Sequence, residues 1–509
     1  MMFAKGKNGG ATILRRLMIV GFLLGSCGPA EAKWTGVMEG GWTLVLSDGT
    51  WTVRCYHLPA ADYDNLRDFD GNQLESPQVF HSITQAPEGG GELDMSTMYE
   101  DLVEAGHPTW KPGAMYGNFY SFLQSKKVTS FKLPSCMKVI SGWSASGATG
   151  AYNSFTTNVV CQSGLDVIGA GFFSYMTNLV SVTGIDTVRE IKETAFRDCF
   201  KLTTVSPLLP TGVVSVAENA FWNCSNLKGE LRFQSPVMQD VRVNFNTGSN
   251  GKTKLSSIYY GEGVTNVNHT WMNCTTITNI APYPSTLKSI GGCFYQCNSP
   301  VKLDFSACTN LTEIPGDFAN YSKLTEVILP PRIRSIGKSA FLNSAITNVG
   351  YVADKRFRDE MLETSGTVGD NAFRLCVSLR EVEFPWGGSE TTLGSGLVAG
   401  CWQLKRLKFD GRAPKSWPQN LFDGVPGQVG VTASYCVQIC CSRQRDREGW
   451  RAFATRTTLT DEERARANYP GKGTFGVYDS FPDGDHRYQW MVWTPGCWDE
   501  PQGLMLLLR

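Results

Sequence analysis

The chain has 509 residues, more than one compact core ordinarily holds, so it is either several domains or one elongated array. Lys plus Arg and Asp plus Glu each total 47, a formal net charge of zero. With no basic excess there is no field to gather nucleic acid or an anionic membrane, and a nucleic-acid partner is not expected.

Residues 1–32 read as an export signal, with Lys5, Lys7, Arg15 and Arg16 ahead of an apolar run from Leu17 to Leu24 that is too short to span a bilayer as a helix. Two exits are open. Ala30-Glu31-Ala32 fits a small-x-small cleavage site, with Pro29 as the breaker before it, whereas Leu24-Gly25-Ser26-Cys27 is similar to a bacterial lipobox. Either places the protein outside the cytoplasm, secreted or on the cell surface or envelope, and a membrane is a partner only if Cys27 is lipidated.

Residues 33–120 read as an irregular N-terminal cap. Trp42, Leu44 and Leu46, then Ser47-Asp48-Gly49-Thr50, then Trp51, Val53 and Cys55 form a hairpin pattern, and a short helix is expected within Met95–Glu104. The acidic cluster from Asp64 to Asp70 ends in Gly71, but setting Gly71 as the sixth position of a calcium loop puts Leu66 and Pro77 where the end ligands belong.

Residues 121–430 are periodic. Phenylalanine recurs at Phe173, Phe196, Phe221, Phe294, Phe318, Phe341, Phe373 and Phe422, mostly 23 to 25 residues apart, usually with Cys three positions on and Leu three further. A period of this size predicts a solenoid, a mainly β or α/β array with a parallel sheet and about ten or eleven coils, each burying its apolar face against its neighbours. The clearest unit runs Leu324-Thr325-Glu326-Val327-Ile328-Leu329-Pro330, Ile333-Arg334-Ser335-Ile336-Gly337, Ala340-Phe341. Leu324, Val327 and Leu329 point inward from one strand per coil, Ile333 and Ile336 form a second inward pair, and Gly337 is expected to allow a tight bend. Phe196, Cys199, Leu202, Phe221, Cys224, Leu227, Phe373, Cys376 and Leu379 are accordingly core residues. Val398 and Trp271 stand in for Phe, and Met176, Tyr321 or Ser344 is taken to hold the Cys position. The gap before Trp271 implies a degenerate coil around Phe245, and the long gap before Phe373 implies an insertion within Tyr351–Thr367.

Residues 431–509 read as a mixed α/β C-terminal cap, with helices at Arg443–Thr455 and Thr460–Asn468 and strands at Thr474–Phe481, Tyr488–Trp493 and Gly503–Leu508. Of the 16 cysteines, six (Cys199, Cys224, Cys274, Cys297, Cys376 and Cys401) hold one repeat position, which packing explains best; pairing among the others is not deducible from sequence.

The units Ile191-x3-Ala195-Phe196-x2-Cys199-x2-Leu202, Ala220-Phe221-x2-Cys224-x2-Leu227 and Ala372-Phe373-x2-Cys376-x2-Leu379-x2-Val382 resemble the BspA-type leucine-rich repeat. The resemblance covers roughly residues 121–430 and implies a secreted or surface bacterial protein of a class associated with adhesion. It departs from the shorter leucine-rich signature with Asn or Cys just after the strand.

Few residues carry chemistry. The five histidines lie beside no nucleophile motif, so no catalytic residues are expected. Cys436, Cys440, Cys441 and Cys497 lack paired zinc spacing; no metal or cofactor is expected. The outward strand face remains. Glu381, Glu383, Arg406 and Lys408 lie one repeat apart and should face each other, either as an inter-coil ion-pair ladder or as a binding patch for a protein or cell-surface ligand. The expected function is therefore that of an exported, non-catalytic recognition or adhesion protein. A polysaccharide-active parallel β-helix and a structural envelope component are the alternatives.

Overall fold

The computed structural model describes residues 33–57, 69–70, 74, 78–115, 117–141, 153–243, 254–268, 274–299, 301–404, 406–409, 412, 414–415, 437–441, 473–479, 487–493 and 504–508. The export signal with Cys27, the coil around Phe245, Trp271, Phe422 and the two C-terminal helices expected from sequence lie outside them.

The array is a parallel β-solenoid of about 11 turns with little helix. Each regular coil contributes two strands, where one was expected. In the C-terminal part the first ladder joins Lys302–Asp304, Glu326–Leu329, Asn348–Tyr351, Glu381–Phe384 and Arg406–Phe409, and a second joins Glu313–Ile314, Ser335–Ile336, Thr367–Val368 and Thr392–Leu393. The second strands are two residues long, too short for an alternation pattern to register in sequence. They are strands only because the next coil supplies their hydrogen-bond partners.

Parallel pairing also begins earlier than residue 121. Gln78–Gln85 pairs with Pro112–Met115, and Gly91–Asp94 pairs with Val128–Lys132, both in parallel, so these belong to the two ladders rather than to an irregular cap. Ahead of them Thr35–Glu39, Thr43–Ser47 and Thr52–His57 form an antiparallel meander that closes one end of the second ladder. At the other end Val437–Cys441 extends the first ladder in parallel, and Leu504–Leu508, Arg487–Trp493 and Gly473–Asp479 follow antiparallel. Antiparallel strands at both ends cover the open coil edges.

The core runs along the solenoid axis as stacked columns. Phe196, Cys199, Leu202, Phe221, Cys224, Leu227, Phe373, Cys376 and Leu379 are all fully buried. Phe173, Phe196 and Phe221 stack with centroids 4.9 and 5.0 Å apart, and Phe341 on Phe373 at 5.3 Å. Phe318 breaks this pattern, meeting Phe294 and Phe341 edge-on. The backbone explains why. Phe341 N donates to Ala372 O, whereas in the preceding coil it is Ala319 N that donates to Ala340 O, so Ala319 holds the Phe position and Phe318 the Ala position. The Cys position of that coil is therefore Ser322, and Tyr321 is half exposed.

The turn around most Phe positions uses left-handed backbone twice, two residues before and two after, while Phe221 and Phe294 have only the later one, at Asn223 and Gln296. Thr194 and Asp198, Ser339 and Asn343, and Asn371 and Leu375 are such pairs. Gly337 has a different role from the one expected: a Cβ there would lie 2.2 Å from Gly316 N of the previous coil, so glycine is required by coil spacing rather than by its own bend. Leu375, at φ 60° and 41 % exposed, is a strained occupant of one of these left-handed sites, since only Gly, Asn and Asp adopt this region cheaply. Leu375→Asn should stabilise the array by about 0.5–1 kcal/mol in urea unfolding; a loss of stability would contradict this assignment of strain.

Candidate binding surface

The outward strand face has the expected register: Glu381 lies opposite Arg406 and Glu383 opposite Lys408. The ion pair, however, runs diagonally, the Lys408 ammonium contacting the Glu381 carboxylate, with side chains 15 % and 26 % exposed. Glu383 also has an interaction partner, and Arg406 is placed by its backbone. The same device recurs along the array. Lys302 pairs with Glu326 at 3.0 Å, and Lys132 pairs with Glu92 at 3.0 Å and Asp94 at 2.7 Å. Between these sites the face is polar, with Ser181 Oγ donating to Asn158 Oδ1 of the adjacent coil at 2.7 Å. Neighbouring strands thus neutralise one another, which is the ladder arrangement.

A feature missed in the sequence lies in the turns that precede these strands. Val377 and Trp402 occupy the same position of successive coils, immediately after Cys376 and Cys401, and are 48 % and 65 % exposed. Leu375 lies two residues before Val377. The signal was available but mixed: Ser225, Thr275 and Asn298 follow the Cys in three coils, whereas Phe200, 37 % exposed, Val377 and Trp402 follow it in the other three.

The insertion before Phe373 is a built element. It carries the helix Arg358–Glu363, whose Met361 and Leu362 are buried. Glu360 accepts from Arg332 Nε at 3.0 Å and Nη2 at 2.9 Å and from Arg334 Nη2 at 2.9 Å, and these bonds, with that to Arg332 foremost, hold its carboxyl below the usual range. The Arg332 and Arg356 guanidinium carbons lie 5.1 and 5.3 Å from the Phe357 ring centroid. The Trp386 indole donates to Ile333 O at 2.7 Å, and a Cβ on Gly366 would lie 1.8 Å from the Trp386 ring. The insertion therefore buttresses the coil rather than offering a free loop.

The repeat cysteines have a further role beyond packing. Cys199 Sγ donates to Phe173 O at 3.0 Å, Cys224 Sγ to Phe196 O at 3.0 Å, Cys376 Sγ to Phe341 O at 2.9 Å and Cys401 Sγ to Phe373 O at 3.0 Å. Each thiol thus bonds the Phe carbonyl of the preceding coil. Burial pushes the Cys199, Cys224 and Cys401 thiols upward, which keeps the donor proton in place. Eleven cysteines among the described residues carry free thiols, and those residues hold no cluster of three or more potential metal ligands. The side chains of Cys436, Cys440, Cys441 and Cys497 lie outside the described residues.

The model of the BspA-type leucine-rich repeat region matches six copies over residues 149–239, 244–365 and 360–426. No curated protein matches the chain. Among solved structures it is similar to a leucine-rich repeat protein from Bacteroides ovatus (15 % identity, TM-score 0.37, covering 72 % of this chain and 73 % of that one). It is also similar to a leucine-rich cell surface protein from Faecalibacterium prausnitzii (18 %, TM-score 0.32, 82 % and 98 %) and to the pneumococcal vaccine antigen PcpA (10 %, TM-score 0.23, 80 % and 96 %).

Because the Lys408–Glu381 pair is mostly buried, Glu381→Gln should cost about 1–2 kcal/mol in urea unfolding, between the values for a bonded charge and an exposed pair. Glu104→Gln, which breaks the exposed Lys33 pair, should leave stability essentially unchanged. Equal effects would contradict the ladder.

Proposed function

This chain belongs to the BspA-type leucine-rich repeat family, and from that premise we propose that it is an exported, non-catalytic recognition or adhesion protein, displayed at the cell surface or secreted. The observation that carries the reading is the exposed pair Val377 and Trp402, which hold one position of successive coils in the turns that lead into the strands of Glu381 and Lys408. The stacked coils fix the backbone of these turns before a partner arrives, which lowers the entropy lost on docking. Export, suggested by residues 1–32, would put that face where a protein or cell-surface ligand can reach it. The alternative of polysaccharide cleavage finds less support, because Glu381 is held by Lys408 and is not free for acid–base work.

The test is a binding screen of the full chain against extracellular matrix proteins and bacterial surface preparations. A specific ligand is expected, with affinity falling at least tenfold in Trp402→Ala while thermal stability is unchanged. Absence of any ligand, together with polysaccharide cleavage abolished by Glu383→Gln, would overturn the proposal.

A further inference from the structure

The N-terminal meander ends in a strand with one open side. Thr35–Glu39 pairs with Thr43–Ser47, and among the described residues no strand pairs with its other edge. Trp34 N, just ahead of the strand, donates to Asp101 Oδ2 at 3.1 Å, and backbone alternation then turns the N–H and C=O of Gly36 and Met38 toward the open edge. Sheets ordinarily blunt such an edge with proline, lysine or a bulge. Thr35–Glu39 has none of these: its register with Thr43–Ser47 is unbroken, whereas the inner pairings of Thr52–His57 with Gln78–Gln85 and of Gln78–Gln85 with Pro112–Met115 both carry register shifts. The hairpin is also apolar where water reaches it. Val37 and Trp42, 63 % and 61 % exposed, are after Trp402 the most exposed large apolar side chains among the described residues.

We propose that this edge pairs with the same edge of a second copy of the chain, antiparallel and two-fold about Val37. The strand is self-complementary in that register. Gly36 of each copy lies opposite Met38 of the other, so the outward N–H and C=O groups of both are satisfied. Val37 meets Val37 across the axis as a non-hydrogen-bonded pair, in which side chains approach most closely, and Val45 beside each extends the contact to a row of four valines. Thr35 falls opposite Glu39, so no like charges face each other, and Lys33 falls diagonal to Glu39, an opposite-charge pair. Lys33 and Glu39 are held within one chain only by exposed pairs, with Glu104 at 2.7 Å and Arg54 at 3.2 Å, which exchange readily in water. A seam five residues long is small for an interface, so association is weak, with a Kd on the order of tens of micromolar. The inference is independent of the recognition reading, because it uses none of the residues around Val377 and Trp402.

Sedimentation equilibrium of the purified protein, over a concentration series reaching about tenfold above that Kd, tests it. A reversible monomer–dimer equilibrium is expected. Val37→Lys and Val37→Glu, each at an exposed side chain, should leave thermal unfolding unchanged and weaken the dimer at least tenfold, because the two-fold axis sets like charge against like. An equimolar mixture of the two variants should regain the dimer, since opposite charges then meet across the axis. A protein that is monomeric throughout the series, a dimer indifferent to both variants, no regain in the mixture, or association that grows beyond the dimer with concentration would overturn the proposal.

Discussion

The structure depends on in-register stacking: no coil can satisfy its own backbone, so each must present its polar groups where the next coil presents theirs. Three lines of inter-coil hydrogen bonds result, the two strand ladders and a third at the turns, where Phe173 N donates to Ala195 O and Phe196 N to Ala220 O. Once the backbones superpose, so do the side chains. The Phe column, the thiol bonds to Phe carbonyls and the glycines that permit close approach are consequences of that one constraint.

The same constraint explains what the sequence could reveal. A residue type required at one place in every coil is visible as a period, and Phe196, Cys199 and Leu202 with their equivalents were identified as core for that reason. The C-terminal strands were also legible, from local alternation. What the period could not show is equally specific. Two-residue strands leave no alternation, the exchange of Phe318 and Ala319 alters register without altering composition, and the parallel pairing of Gly91–Asp94 precedes the recognisable motif. In the candidate surface, the facing of Glu383 and Lys408 followed from spacing, but the diagonal contact of Lys408 with Glu381 depends on side-chain reach. Trp402 is a departure at a single position, which periodic reading averages away.

Stacking consumes the inward face and pairs charges on the outward one at Lys132, Lys302 and Lys408, and it leaves exposed apolar side chains such as Val377 and Trp402. The insertion before Phe373 is spent on buttressing through Glu360, Arg332 and Trp386.

The central claim is that the repeat cysteines are buried thiol donors that join coil to coil, not disulfides or reactive groups. Thiol labelling followed by peptide mapping, in the absence of reductant, tests it directly. Cys199, Cys224, Cys376 and Cys401 should resist labelling in the folded protein and label fully once it is denatured. Labelling of these residues in the folded state, or protection that survives denaturation, would contradict it.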